Sequence, residues 1–181
     1  MQESSEIERK SAFLFDVIKR YDHYIATTNF KVGLMMSFIG AIILGLTIRA
    51  MSITPIESGC STTYYWAITT SILTITTALF ASAKLLQAVF PNTKNYNGKK
   101  SLIFFGGVSS YENGIEGYKK RVKSITPEEL LEDLSEQAFI LAEVTTEKFS
   151  TLKAAVNIIK FGTIPLLGAS VLLLIVEGAT S

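Results

Sequence analysis

Charge is missing from three long stretches of this 181-residue chain, and that absence constrains its fold more than any motif does. The first stretch runs from Val32 to Ile48 between Lys31 and Arg49, the second from Ser58 to Ala83 between Glu57 and Lys84, and the third from Phe161 to Val176. About 20 apolar residues, rising about 1.5 Å each in a helix, cross a hydrocarbon core about 30 Å thick. The second stretch exceeds that length. The other two fall slightly short, but Lys31, Arg49 and Lys160 have apolar stems and can carry their charged heads to the interface, which lengthens each span. A mean hydropathy of +0.34 and a charged fraction of 18% agree with this reading without deciding it. Gly162 and Pro165 should kink the third stretch, for which a buried core helix or a re-entrant segment is the alternative.

Orientation follows from the basic residues. Arg9, Lys10, Lys19, Arg20 and Lys31 precede the first span, and the segment between Pro91 and Lys153 holds Lys94, Lys99, Lys100, Lys119, Lys120, Arg121, Lys123, Lys148 and Lys153. The loop from Arg49 to Thr63 holds Arg49 alone. Three spans with this bias place the N-terminus and the middle segment in the cytoplasm, and the tail from Gly178 outside. Tyr64, Tyr65 and Trp66 then fit an outer aromatic belt. The charged stretch ahead of Val32 is unlike the short basic start of a cleavable signal peptide, so the N-terminus is expected to stay attached. Cys60 is the single cysteine and is read as an idle thiol in the outer loop, an intermolecular bridge being the alternative.

The expected division is a cytoplasmic helix over 1–31, a first membrane helix over 32–50, an outer loop over 51–63 and a second membrane helix over 64–90. A cytoplasmic helical domain over 91–153 and a third membrane helix over 154–178 complete it. The fold class is therefore an all-α membrane protein with an amphipathic N-terminal helix and a small helical domain between spans two and three. Ile7, Phe13, Leu14, Val17, Ile18, Tyr21, Tyr24 and Ile25 supply the apolar face of the first helix, which should run straight into the first span. Asn92 to Gly98 reads as a turn-rich break. Ser101 to Gly106 is a short apolar segment, read as an anchor against the bilayer or the helices, or as a helix start. Tyr111, Ile115, Tyr118 and Val122 predict a helix with one apolar face. Gly114 and Gly117 spell a GxxG pattern, but a nucleic-acid-binding loop of that kind needs a surrounding fold this chain lacks. Thr126, Pro127 and Glu129 form a capping box, opening a helix with no breaker before Gly162.

Basic residues crowd Pro91 to Lys123 and acidic ones Ser124 to Lys153. Either the two kinds pair or lie solvated, or the basic half faces an anionic ligand or lipid. Enzyme chemistry finds little footing. His23 and Cys60, each the only residue of its type, leave no metal cluster and no Cys/His nucleophile. Phosphate-cradling glycine motifs are also missing. The reading is a non-enzyme with no metal, no catalytic residues, no resident cofactor and no nucleic-acid partner.

The passage TTNFKVGLMM places Asn29 and Lys31 ahead of the first span. Pro91 follows the second, Leu102 to Gly106 ends in an aromatic and a glycine, Tyr118 marks the next helix, and Lys148 and Phe149 precede the last span. This order of parts resembles the PycTM-like membrane effectors of bacterial Pycsar and related cyclic-nucleotide anti-phage systems. The resemblance covers most of the chain through short, degenerate patterns. At the position of Asn29 the family tends to carry an acidic residue. The resemblance implies a bacterial inner-membrane protein, switched on by a cyclic nucleotide made during phage infection, that disrupts membrane integrity and stops growth.

Such an effector needs an anion site, a bistable element and a membrane part that can associate. Lys99, Lys100, Lys119, Lys120, Arg121 and Lys123, with Phe104 and Phe105 to stack on a base, are the candidate ligand site; Asn29, Lys31 and Lys148 are membrane-proximal candidates. The helix from Pro127 is the candidate for transmitting a shift to the bilayer. A homo-oligomer is expected, although Gly33, Gly40 and Gly45 do not share one close helical face and support no single GxxxG seam. The alternatives are an accessory membrane subunit that binds a protein partner, or a small ion channel. A transporter is disfavoured because no acidic residue is expected within a span. The orientation is checked by labelling from outside intact inner membranes: Cys60 should react and an Asn97→Cys thiol should not, and the reverse pattern would invert the topology.

Overall fold

The computed structural model describes residues 2–52, 62–90 and 101–180. The described residues are all-helical: α1 (Gln2–Met51), α2 (Thr62–Val89), α3 (Phe105–Ser109), α4 (Gly114–Ser124), α5 (Pro127–Ile158), a π-helical turn (Ile159–Thr163) and α6 (Ile164–Thr180). Three helical stretches, Ser5–Met51, Thr62–Val89 and Pro127–Gly178, are long and apolar enough to cross a membrane. The chain divides into a charged unit, residues 1–27 and 91–147, and an apolar unit, residues 28–90 and 148–181. Two of the three divisions, at 27/28 and 147/148, fall inside long helices, because neither α1 nor α5 contains a breaker where the chain passes from one unit to the other.

The apolar unit is a bundle of three helical segments with a shared spacing. In α1 the buried residues are Thr28, Val32, Ile39, Ile42 and Leu46, with Met35 half-buried. In α2 they are Ala67, Ser71, Thr74, Ala78, Ala81, Leu85 and Ala88. Steps of four and three residues alternate along both helices, which is the seam that knobs-into-holes packing buries. Lys148, Leu152, Ala155 and Ile159 continue the same alternation on the third segment. One core joins Val32 and Ile39 to Ala78, Ala81, Leu85, Ala88, Leu152, Ala155 and Ile159. A second joins Ile42 and Leu46 to Ala67 and Leu174.

Almost every inward position on α2 is small. In lipid the apolar character of a surface gives no incentive for helices to meet, so close backbone approach and internal hydrogen bonds do the work instead. The hydroxyls on this seam are held within the bundle. Ser71 Oγ donates to the Ala67 carbonyl at 2.7 Å and Thr74 Oγ1 to the Thr70 carbonyl at 2.8 Å. Thr74 Oγ1 and Ser170 Oγ meet at 3.0 Å between α2 and α6. Gly33, Gly40 and Gly45 face away from the seam, with open space where a Cβ would stand.

The expected kink near Gly162 and Pro165 is a π-helical turn, in which the Ile164 N–H bonds the Ile159 carbonyl five residues back. Proline at 165 brings no N–H to the ladder, and a wider turn is one way a membrane helix absorbs that loss. Glu177 corrects the expectation that no span holds an acidic residue: it lies in α6 and is 1% exposed. Counting only charge-free residues ended the third stretch at Val176, whereas the helix continues past it.

In the charged unit, Leu14, Ile18, Tyr21 and Ile25 are half-buried, while Phe13 and Tyr24 of the expected N-terminal face are exposed. Residues 101–104 precede α3 without joining it. The helix expected from Tyr111, Ile115, Tyr118 and Val122 forms as α4 and carries the last three of them. Tyr111 lies before α4, and Ile115 and Val122 are 68% and 47% exposed.

Within the apolar unit Thr163 is fully buried, and its Oγ1 has no hydrogen-bond partner among the described residues. Thr163→Val keeps the shape and removes that orphaned group, so it should raise stability by about 1 kcal/mol. A lower midpoint of thermal unfolding in detergent would mean that the hydroxyl is satisfied in the folded protein.

Candidate functional site

The charged unit holds most of the predicted ligand residues. Asn113 and Gly114 both adopt left-handed backbone (φ 62° and 57°), turning the chain sharply into α4. A Cβ at Gly117 would collide with the Glu112 carbonyl, so the GxxG pattern serves this turn. Tyr118 reaches back from α4, its hydroxyl donating to the Leu102 carbonyl at 3.0 Å, and its ring lies edge-on to Tyr111 with centroids 5.5 Å apart. Burial pushes the Tyr111 phenol above its ordinary pKa, with nearby Arg121 acting in the opposite direction.

The segment before α3 is fixed at both ends. Ser101 Oγ accepts from the N–H groups of Ile103 and Phe104 at 3.1 and 3.0 Å, and the Leu102 N–H donates to Asp133 Oδ2 of α5 at 2.8 Å. Phe104 and Phe105 follow, ring centroids 4.6 Å apart, with Phe105 74% exposed.

One carboxylate organises the corner between α4 and α5. Glu129 Oε2 accepts from the Thr126 N–H at 3.0 Å, and Thr126 Oγ1 accepts from the Glu129 N–H at 3.2 Å, closing the capping box. Its other oxygen, Oε1, meets Arg121 Nη2 at 3.2 Å. Lys119 pairs with Glu116 one turn earlier at 2.9 Å. Basic and acidic residues therefore do pair at Arg121 and Lys119. Lys120 and Lys123 are exposed on α4, while Lys99 and Lys100 lie outside the described residues.

In the apolar unit two of the three membrane-proximal candidates come together. Lys148 is 3% exposed. Its Nζ donates to the Ala88 carbonyl at 2.6 Å, the Val89 carbonyl at 3.0 Å and Asn29 Oδ1 at 3.1 Å. An ammonium has three N–H donors, and here each has an acceptor. Ala88 and Val89 are the last residues of α2, so the cation sits where helix carbonyls lack partners and the helix dipole is negative. Lys31 is exposed and takes no part.

The sequence pointed to Lys148 and Asn29 through family resemblance alone, and their acceptors on α2 were missed. A lysine on the buried seam of a helix, next to an apolar run, is the signal that could have found them.

This geometry defines a class: a three-span helical membrane protein whose bundle is locked at one end by a buried lysine. The family model described as the Pycsar effector protein domain matches residues 13–176. The chain is also 32% identical over 164 residues to the Pycsar effector protein EcPycTM of Escherichia coli, covering 86% of this chain and 87% of that protein. The chain belongs to the Pycsar effector transmembrane family. No solved structure matches it.

Asn29 gives Lys148 a neutral acceptor. Asn29→Asp would replace it with a carboxylate and make a charge-assisted bond, about twice as strong, so the unfolding midpoint in detergent should rise. Asn29→Leu, which leaves one ammonium proton unpaired, should lower it by the equivalent of about 1 to 3 kcal/mol. Equal midpoints for both variants would remove Asn29 from the lock.

Proposed function

We propose that this chain is an effector of bacterial anti-phage defence. A cyclic nucleotide second messenger binds the charged unit on the cytoplasmic side, and the apolar unit then breaches the inner membrane and arrests growth. Membership of the Pycsar effector family supports the defence role. The structural observation behind the switching step is the continuity of α1 and α5, each of which begins in the charged unit and ends in the apolar one. Movement of a helix in the first unit has a covalent route into the second, and the buried Lys148 contacts give that route something to break or remake.

For the ligand, Lys120 and Lys123 on α4 offer exposed cations, and Phe105 offers an exposed ring. Lys99 and Lys100 join this reading from sequence. Lys119 and Arg121 already have carboxylate partners, which a phosphate would have to replace. Charge-assisted hydrogen bonds contribute about 1.5 to 3 kcal/mol each, so losing two should weaken nucleotide binding at least tenfold. The variant Lys120→Glu with Lys123→Glu should accumulate in the membrane as the parent does. It should lose growth arrest and depolarisation when a nucleotide cyclase is co-expressed. Undiminished toxicity in that variant would exclude this face of α4 as the ligand site.

A further inference from the structure

Between α1 and α6 of the apolar unit lies a groove of about 310 Å³, lined by Ala41, Gly45 and Leu46 on one side and by Leu167, Val171 and Ile175 on the other. Gly45 and Ala41 make the depression, because a residue without a side chain and one with only a methyl group leave the α6 side chains uncovered. Arg49 closes it at one end. Its Nη2 lies 3.5 Å from the Leu174 carbonyl, and the guanidinium packs beside the Gly178 backbone, where a Cβ would collide with it.

We propose that this groove holds one acyl chain of an anionic phospholipid whose phosphate is bound by Arg49. The dimensions fit: from Ala41 to Arg49 the helix rises about 12 Å at 1.5 Å per residue, close to the roughly 15 Å that one leaflet contributes to a 30 Å core. The groove thus runs from mid-membrane to headgroup depth and ends on a cation. A guanidinium binds phosphate through paired N–H donors, and basic pockets between membrane helices are suited to anionic headgroups. A second copy of the chain fits the groove less well. Its helix would cover Arg49, and Glu177, the acidic residue of α6, is buried within its own bundle at 1% exposure and is not available to meet that charge. The proposal does not depend on the chain responding to a nucleotide.

The test uses the full chain, purified in mild detergent and titrated with phosphatidylglycerol or phosphatidylcholine while bound lipid is counted by native mass spectrometry. The parent should retain one phosphatidylglycerol in preference to phosphatidylcholine. Arg49→Gln should weaken retention about tenfold, the loss of one charge-assisted contact to phosphate, and Arg49→Lys should recover part of it. Gly45→Leu and, from the opposite wall, Val171→Phe should displace the acyl chain and lower retention with Arg49 still present. A Cβ at Gly45 meets nothing within 4 Å, so filling the groove there leaves the bundle intact. The proposal is overturned if the parent shows no preference, if Arg49→Gln retains the lipid unchanged, or if both filling variants do. It is also overturned if filling dissociates an oligomer without changing lipid retention, or if inorganic phosphate alone competes the lipid away.

Discussion

A helix that ends in or near hydrocarbon leaves carbonyls without donors, and the bilayer supplies no water to satisfy them. The apolar unit answers this at the end of α2 with Lys148, whose Nζ reaches the Ala88 and Val89 carbonyls. Its position depends on everything around it. Lys148 lies four residues before Leu152 on the buried seam, so the packing that buries Leu152, Ala155 and Ile159 also carries the ammonium inward. Asn29 is delivered by α1, next to the buried Thr28. Three helical segments thus converge on one cation. A buried charge with none of these acceptors would cost several kcal/mol, so the lock and the packing require each other.

Much of the fold was legible because charge and hydropathy report on the bilayer directly. Three apolar stretches, a helix opening at Thr126 and the passage of α1 from charged sequence into a span without a break are all written in residue type. The contact seams were harder to read, since hydropathy does not distinguish a lipid-facing residue from a buried one in a membrane helix. Leu79 and Phe80 of α2 are exposed while Ala78 and Ala81 beside them are fully buried. The informative property there is size at alternating steps of four and three. Attention to glycine on the first span led to residues that face open space, while the alanine, serine and threonine seam on the second went unread.

The charged unit shows a different limit. Its basic cluster was visible as composition, but composition does not say which lysine already has a partner. Glu129 could be identified as the end of a capping box, since that role is local. Its second role, receiving Arg121 from the preceding helix, depends on how α4 folds back at the Asn113 and Gly114 turn. Likewise Ile115 and Val122 keep their helical period in α4 and are nonetheless exposed, because a period marks a face without specifying what covers it.

The π-helical turn at Ile159–Thr163 has a consequence for how the third span tolerates change in length. Up to Ile159 its buried positions step by four and three alternately, so the next was due at Gly162, yet it falls at Thr163, and Ser170, Leu174 and Glu177 keep the displaced phase. The turn acts as a skip in the reading frame of the seam: one supernumerary residue is taken up without rotating the remainder of the helix off its neighbours. Deleting one residue here would give a more regular helix and a worse bundle, as the Thr74 hydroxyl would lose Ser170 to the lipid side. An insertion or deletion elsewhere in α6 has no such slack to use, which makes this short turn the place where the third span could change length and keep its partners.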